Sequence, residues 1–192
     1  MRLALLLSLL AGIPPDGDDA SHFPLIPGSR WEYKTQLLRW STRVGEPGPG
    51  REGPPRTVLC AEDKEGTTLR SEDGAVRLTV TREGVYQGSV HASNLILKFP
   101  LKKFDDWEGG DKKNGISRFT NHGQVDLEVG GTKYRCWKIR EQRSVPKGLR
   151  TWTRWYAPGV GLVWEDYSEE IAGTVTQRIC MLESYEKEAG KK

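Results

Sequence analysis

The sequence predicts an all-β protein, with a single curved antiparallel sheet or a half-open barrel built from long hairpins. Its 192 residues include 22 glycines and 11 prolines, a composition that favours frequent turns. Short apolar and β-branched runs alternate with turn signals, and no stretch carries the apolar period of an amphipathic helix. A chain of this length fits one domain with a sizeable hydrophobic core.

The N-terminus has the pattern of a signal peptide. Met1 and Arg2 precede an apolar run of eleven residues, LALLLSLLAGI, which ends at Pro14-Pro15. Such a run is too short to span a bilayer and is typical of a signal-peptide core, with an uncleaved anchor or a buried helix as the alternative. We therefore expect residues 1–20 to be a signal peptide and lead-in, and the mature protein to be exported to the periplasm or the extracellular space.

The remaining chain is predicted to be one antiparallel β domain at residues 21–186 with a frayed, charged tail at residues 187–192. Residues 16–22 are polar, and we expect them to be disordered. No stretch after the leader is long and apolar enough to cross a bilayer, so we expect no stable membrane insertion after cleavage.

The first half of the domain is predicted to be a long strand and a β-meander. The long strand covers residues 31–44 and changes parity near Gln36, which indicates a bulge, and a loop follows at residues 45–55. Turn signals then recur at the short spacing that is typical of antiparallel sheets. The strands of this region are predicted at residues 56–62, 67–71, 75–81, 85–90 and 95–100.

Long hairpins are predicted in the second half. Gly130-Gly131 marks a tight turn between strands at residues 116–129 and 132–143. Gly109-Gly110 is interpreted as another hairpin turn. A loop at residues 144–149 and a last strand at residues 171–185 flank the hairpin described next.

An aromatic hairpin occupies residues 151–168, with the sequence TWTRWYAPGVGLVWEDYS. At its centre, Pro158 presets φ for a turn and Gly159 accepts the positive φ that the next position requires. Gly161 is available for a bulge. The large rings on both faces indicate strands that are at least partly covered on both sides.

One short pattern occurs twice in the chain. Phe23-Pro24-Leu25 is followed by Trp31-Glu32, and Phe99-Pro100-Leu101 is followed by Trp107-Glu108, so the spacing from Phe to Trp is eight in both copies. Each copy places a proline-fixed segment and one tryptophan at the entry to a strand. The repeat predicts two related β halves, or one sheet with two similar corners.

The segments FPLIPGSRWEYK, LKFPLKKFDDWEG and WYAPGVGLVWED resemble a broad group of uncharacterised bacterial secreted proteins and lipoproteins, which share FPLxxGxxWxY and WYAPGVGLV motifs. The resemblance covers most of the mature chain and implies a curved, half-open antiparallel barrel, similar to lipoprotein-carrier envelope proteins. It implies no established activity and no catalytic residues. The chain departs from the group at Phe104, where the central motif has glycine, and it lacks the lipobox cysteine.

Composition excludes several classes of function. The formal net charge is +3 and acids and bases are interspersed, so we expect no nucleic-acid partner. The three histidines have no metal-ligand spacing, and we predict no metal and no cofactor. Three cysteines allow at most one internal disulfide, with burial as small apolar residues as the alternative. The residues in question are His22, His91, His122, Cys60, Cys136 and Cys180.

No catalytic motif is present, and we predict that the protein is not an enzyme. The leading hypothesis is an exported envelope protein whose curved sheet binds an apolar small molecule or a protein partner, with Trp152, Tyr156 and Trp164 as candidate ligand-binding residues. One alternative is a hydrolase whose carboxyl groups, distant in the sequence, converge in a cleft and have raised pKa values. Its candidate residues are Asp105, Asp106 and Glu165. The other alternative is a structural interaction module with an exposed apolar patch or sheet edge in place of a cavity.

Overall fold

The computed structural model describes residues 19–43, 45, 47–63, 66–89, 91, 94–111 and 115–187. These residues form one sheet of thirteen strands, preceded by a short 3-10 helix, η1 (Asp19–His22). The strands are β1 (Arg30–Ser41), β2 (Arg51–Glu52), β3 (Arg56–Asp63), β4 (Gly66–Ser71), β5 (Gly74–Thr81), β6 (Gly84–Gln87), β7 (Leu95–Lys98), β8 (Asp106–Asp111), β9 (Gly115–Val129), β10 (Thr132–Val145), β11 (Gly148–Ala157), β12 (Gly161–Ile171) and β13 (Thr174–Glu186).

The predicted all-β antiparallel architecture is confirmed. The strands lie in the order β7-β6-β5-β4-β3-β1-β13-β12-β11-β10-β9-β8, with β2 paired to β1 beside that path. The sheet curls into a nearly closed barrel with one seam, between β7 and β8. Within the described part of the chain, no helix is long and apolar enough to cross a membrane.

The two sides of the barrel differ in strand length. Strands β1 and β9 to β13 contain ten to fifteen residues, whereas β3 to β8 contain four to eight. The long strands β9 to β12 form the hairpins that the turn signals predicted. Gly130 and Gly131 both have positive φ, of 57° and 80°, as a tight hairpin turn requires.

The aromatic hairpin forms as predicted, and its tip is fixed by the N-terminal segment. Gly159 has φ 71°, and the Val160 N–H donates to the Ala157 carbonyl at 3.3 Å. The Gly159 N–H also donates to the Ser21 carbonyl at 2.7 Å, and the indole of Trp31 donates to the Val160 carbonyl at 2.6 Å. These bonds close one end of the barrel around the hairpin tip.

The bulge of this hairpin lies beyond Gly161. Trp155 pairs with Trp164, Tyr156 pairs with Leu162, and Ala157 pairs with Gly161, so the ladder is interrupted between Leu162 and Trp164. A Cβ at Gly161 would lie 3.3 Å from Pro24 Cδ, and Gly161 has φ 91°. Gly161 therefore allows Phe23-Pro24-Leu25, which we call the first FPL segment, to approach the hairpin closely.

Both copies of the repeated pattern make the same backbone hydrogen bonds. In the first copy, the Gly28 N–H donates to the Cys60 carbonyl at 2.8 Å, and the Cys60 N–H donates to the Ser29 carbonyl at 2.9 Å. In the second copy, the Phe104 N–H donates to the Asn121 carbonyl at 2.6 Å, and the Asn121 N–H donates to the Asp105 carbonyl at 2.9 Å. The repeat thus produces two equivalent corners, each joined to a neighbouring strand in the same way.

The position of Phe104 explains the departure from the motif. Gly28 has φ 85°, and Phe104 at the equivalent position has φ 64°. Phe104 therefore adopts the left-handed conformation that normally favours glycine, which costs about 1–2 kcal/mol. Its side chain is 71% exposed, so the ring requires no space in the interior.

Several local predictions are wrong, each for a physical reason. Gly109-Gly110 lies within β8 rather than in a turn: both residues pair with β9, and glycine is needed at 110 because a Cβ there would collide with the Gly115 carbonyl oxygen. The predicted loop at residues 144–149 is a two-residue turn, since Val145 already pairs with Gly148. The predicted strand 171–185 contains the turn Ala172-Gly173, in which both residues have positive φ, 49° and 79°, but only the second is a glycine.

The ends of the domain also differ from expectation. Residues 19–22, predicted to be disordered, form η1, and His22 is buried against the rest of the fold. β1 ends at Ser41, and its irregular register lies between Glu32 and Tyr33 rather than near Gln36. Residues 1–18 and 188–192 lie outside the described residues, so the signal peptide and the tail beyond residue 187 stay predictions.

Candidate functional site

The barrel encloses a cavity of about 520 Å³. Pockets that hold small molecules in proteins typically measure about 300–1,000 Å³ and combine apolar walls with a few polar groups. This cavity has an apolar part, which we call the apolar end, and a charged part, to which the ionic cluster described below contributes. Residues of the short strands, the long strands and the first FPL segment all contribute to it.

The apolar end consists of side chains from the first FPL segment, β1, β5, β11 and β12. Its members are Phe23, Leu25, Trp31, Leu78, Tyr156 and Leu162. The rings of Phe23 and Tyr156 lie 5.6 Å apart, and the Tyr33 hydroxyl donates to the Leu162 carbonyl at 3.0 Å. Trp31, Leu78 and Tyr156 are almost fully buried. This end is held by aromatic packing and by the hydrogen bonds that fix the hairpin tip.

The ionic cluster consists of four arginines and two glutamates that the sheet register brings together. Its members are Arg56, Arg143, Arg154, Arg178, Glu141 and Glu165. Arg154 lies directly opposite Glu165 in the β11–β12 ladder. Arg143 lies directly opposite Ser117 in the β9–β10 ladder. Because alternate residues of a strand share one face, Glu141 and Arg143 reach the interior together.

Arg154 is the centre of this cluster. Its Nε donates to Glu165 Oε2 at 2.8 Å, and its Nη1 donates to Glu141 Oε2 at 2.9 Å. Glu141 also accepts from the Ser117 hydroxyl at 2.7 Å, and the Arg143 Nε donates to that same hydroxyl at 2.8 Å. These short, charge-assisted bonds compensate for the cost of removing the charges from water.

Electrostatics keep the cluster charged. Burial by itself raises the pKa of Glu165, but the guanidiniums of Arg154, Arg56 and Arg178 outweigh burial and hold that pKa below its usual range. Burial lowers the pKa of Arg154, and the carboxylate of Glu165 outweighs it and raises that pKa. At neutral pH, Glu165 is therefore a permanent counter-ion rather than an acid that is ready to donate a proton.

Two arginines of the cluster are less well paired than Arg154. Arg56 lies 3.7 Å from Glu165 Oε1, and Arg178 lies 3.5 Å from the same oxygen. Both also lie near Asp73 Oδ2, at 3.7 Å and 3.8 Å. Among the residues that the structure describes, the buried Nε atoms of Arg56 and Arg178 have no hydrogen-bond partner. These distances indicate ion pairs without hydrogen bonds.

The three candidate ligand-binding residues lie in different places. Tyr156 lines the cavity, and burial raises the pKa of its hydroxyl to about 12. Trp152 lies beside the ionic cluster, with Arg143 and Arg154 at 5.7 Å and 5.8 Å from its ring. Trp164 makes an edge-to-face contact with Trp155, at 6.3 Å between centroids, and the described cavity wall does not include it.

The carboxylates of the hydrolase hypothesis are divided between separate ion pairs. Asp105 pairs with Lys98 at 3.0 Å, next to the seam, and Asp106 lies in β8. Glu165 pairs instead with Arg154 in the ionic cluster. In place of a raised pKa, which that hypothesis requires, Glu165 has a lowered one. The acids that do converge are Glu141 and Glu165, and Arg154 forms an ion pair with each of them.

The remaining candidate residues are dispersed. Cys60, Cys136 and Cys180 are all buried and free, within one apolar cluster of the core. Burial raises the pKa of Cys60 and Cys136 to about 11. In the described ranges, no group of histidine, cysteine and acidic side chains has an arrangement that holds a metal ion.

Sequence reasoning missed the ionic cluster except for Glu165. Its residues come from five strands, β3, β10, β11, β12 and β13, and no two of them form a recognisable motif. The one available signal was the alternation of side chains along β10 and β11. Glu141 and Arg143 in β10, and Arg154 in β11, occupy the same alternate positions as buried or aromatic residues of their strands. Inward-facing charges in long strands are unusual and indicate a polar interior.

Comparisons with known proteins give similar folds only. No protein-family model and no curated protein matches the chain. Among solved structures, the chain is similar to a protein from Bacteroides fragilis that is considered to be exported and has a YmcC-like fold. The two chains are 12% identical with a TM-score of 0.47, and the match covers 86% of this chain and 98% of that one.

Two further solved structures are similar over most of their length. A protein from Parabacteroides distasonis, considered to be a lipoprotein, is 13% identical with a TM-score of 0.39, and the match covers 86% of this chain and 98% of that one. The hypothetical lipoprotein YmcC from Escherichia coli is 13% identical with a TM-score of 0.35, and the match covers 84% of this chain and 90% of that one. Similarity at these values transfers no function to the chain.

Proposed function

We propose that the chain is an exported, non-enzymatic envelope protein that binds an apolar ligand inside its barrel. The observation that carries the proposal is the cavity of about 520 Å³, whose wall combines apolar side chains with polar ones. Burial of apolar surface stabilises a bound ligand by about 25 cal/mol per Å². The leader at residues 1–20 supports export.

The lowered pKa of Glu165 and its contacts with Arg154 favour a structural role for that carboxylate. A general acid at neutral pH needs a raised pKa, so the hydrolase alternative has no support from this residue. The structural-module alternative expected a patch or edge in place of a cavity. The cavity therefore favours a small ligand over a protein partner as the principal occupant.

A fluorescent apolar probe tests this proposal. We expect N-phenylnaphthylamine, which is neutral, to bind the purified protein saturably with one site per chain. Leu162→Trp adds an indole to the cavity wall and is expected to weaken probe binding at least about tenfold, which is the effect of roughly 1.4 kcal/mol.

The matched control is Leu59→Trp, which adds the same group at an exposed position of β3. This variant is expected to bind the probe like the unchanged protein, and circular dichroism establishes that both variants are folded. Absence of saturable binding to the unchanged protein, or equal binding by the two variants, would contradict the proposal.

A further inference from the structure

We propose that the ligand is a single-chain amphiphile with an anionic head, either a carboxylate or a phosphate. The arginines of the ionic cluster bind the head, and the chain occupies the apolar end. This inference rests on the proposed function, because it names the ligand class for the same cavity. Its evidence, however, is the charge of the wall rather than the volume of the cavity.

The described wall of the cavity has an excess of positive charge. Its charged members are Arg56, Arg70, Glu141, Arg143 and Arg154, and Asp73 and Glu165 each lie 3.7 Å from Arg56. The four arginines thus exceed these three carboxylates by one positive charge. Guanidinium groups match carboxylate and phosphate oxygens in geometry and bind them with paired N–H donors. A wall of this composition favours an anion over a neutral or cationic group.

Arg56 and Arg178 are the arginines that most need a further acceptor. Their contacts with Glu165 Oε1 are 3.7 Å and 3.5 Å long, because one oxygen is shared by both guanidiniums. The other oxygen of Glu165 is engaged by Arg154 at 2.8 Å. A buried N–H without an acceptor costs free energy. The Nε atoms of Arg56 and Arg178 are buried and have no acceptor among the residues that the structure describes. Of the two, Arg56 lines the cavity, and an anionic head supplies an acceptor for its guanidinium.

Asp73 occupies the position that such a head would take. Its Oδ2 lies 3.7 Å from Arg56 and 3.8 Å from Arg178, yet its side chain is 63% exposed. Asp73 lies in the turn between β4 and β5, whose Ser71 and Gly74 line the cavity. An exposed carboxylate in a turn is displaced more easily than a buried one, because water solvates it when it leaves.

The charged and the apolar side chains of the cavity wall match the two parts of an amphiphile. The side chains of Arg56, Arg143 and Arg154 are 21–29% exposed, whereas Trp31, Leu78 and Tyr156 are nearly fully buried. A head among the arginines thus stays closer to water, and the methylenes of the chain gain free energy when they are buried against the apolar side chains.

The experiment measures displacement of N-phenylnaphthylamine at neutral pH by five compounds. Dodecanoate and dodecyl phosphate carry the chain and an anionic head, dodecanol carries the chain alone, and acetate with inorganic phosphate supplies the anion alone. We expect both anionic amphiphiles to bind at least about tenfold more tightly than dodecanol, which is the effect of one charge-assisted hydrogen bond. Their order relative to each other identifies the carboxylate or the phosphate as the preferred head.

Three variants sharpen this test. Arg56→Gln combined with Arg143→Gln is expected to reduce the preference for dodecanoate over dodecanol to within about twofold, while dodecanol binding by the same variant shows that it is folded. Arg118→Gln, on an arginine with an exposed side chain, is the matched control and should keep the preference. Asp73→Asn should tighten dodecanoate binding severalfold, because it removes the competing carboxylate.

Equal binding of dodecanoate and dodecanol to the unchanged protein would overturn this inference and leave the proposed function standing. Displacement by acetate or inorganic phosphate as strong as that by dodecanoate would also overturn it, since the chain would then contribute nothing. Absence of binding by the probe and by every amphiphile would instead overturn the proposed function.

Discussion

The two ends of the cavity are maintained by different interactions. The apolar end is stabilised by burial of Trp31, Leu78 and Tyr156, which is favourable for each side chain separately. The ionic cluster is stabilised only as a set, because every buried charge in it needs a partner. A barrel that required only stability would fill this region with apolar residues, which is often neutral or stabilising. This comparison supports our proposal that the ionic cluster serves recognition more than stability.

The largest effect is expected from removal of one charge in the ionic cluster. Glu165→Gln leaves three guanidiniums without their main counter-ion and is expected to reduce the free energy of unfolding by about 3–5 kcal/mol. Urea denaturation measures the change. The control is Glu108→Gln, whose pair with Arg118 is exposed on both sides and contributes at most about 1 kcal/mol. Similar losses in the two variants would show that the cluster is not a coupled set.

A somewhat smaller loss is expected at the apolar end. Leu78→Ala removes a side chain that is 4% exposed, and the cavity term makes the expected loss about 2–4 kcal/mol. Val76→Ala, two residues earlier in the same strand, is the matched control, because Val76 is 39% exposed and its truncation should cost under about 1 kcal/mol. A loss at Val76 as large as that at Leu78 would contradict the assigned inward face of β5.

The ionic cluster should also set the acid limit of stability. The pKa of Glu165 is lower in the folded protein than in the unfolded chain, so the unfolded chain binds the proton first. The contribution of Glu165 is fully present above its unfolded pKa of about 4.3, and it is lost as pH falls through the folded pKa. Urea midpoints across this range should decline less steeply for Glu165→Gln than for the unchanged protein. Parallel declines would show that other groups dominate.

The apolar end should set an alkaline limit. Burial raises the pKa of Tyr156 to about 12, so its contribution is fully present below the unfolded pKa of about 10 and is lost as pH rises through about 12. Ultraviolet difference titration of the folded protein should show a late-ionising tyrosine that Tyr156→Phe removes. Ionisation of every tyrosine near pH 10 in the folded state would mean that this end admits water.

The smallest effect is expected outside the cavity, at the second copy of the repeated pattern. Phe104→Gly should raise the free energy of unfolding by about 1 kcal/mol, because glycine adopts the positive φ without steric cost and the ring is exposed. Gly28→Ala at the equivalent position of the first copy should lower it by a similar amount. Denaturation midpoints that shift in the same direction for both variants would contradict the equivalence of the two corners.

The sequence predicted the features that depend on neighbouring residues. The turns at Gly130-Gly131 and Pro158-Gly159 follow from the φ preferences of these residues, and the two corners follow from a repeat at equal spacing. The turn at Ala172-Gly173 was missed because a two-residue turn of this kind needs positive φ at both positions, and its first position is held by alanine, which rarely adopts it. Local chemistry therefore determines most of the hairpins but not every turn.

The ionic cluster could not be predicted because it depends on register between distant strands. Bulges change which residues face inward: in β10 the register shifts between Trp137 and Ile139, so that Cys136 and Ile139 are both buried despite their opposite parity in the sequence. A parity count that starts at Cys136 thus places Glu141 on the outward face, although the alternation from Ile139 onward is regular. The position of Arg56 beside Glu165 further requires β3 and β12 to approach across the barrel, which no local pattern encodes.

Native mass spectrometry is the most direct test of the claim that the interior of the barrel holds an amphiphile. The full chain would be produced with its own leader in a bacterial host and purified from the envelope without extraction of lipids. We expect an additional mass of one single-chain anionic amphiphile per protein, which dissociates on denaturation and is reduced in the combined Arg56→Gln and Arg143→Gln variant. A bare monomer mass, or a dimer without a small molecule, would contradict amphiphile binding and favour a protein partner.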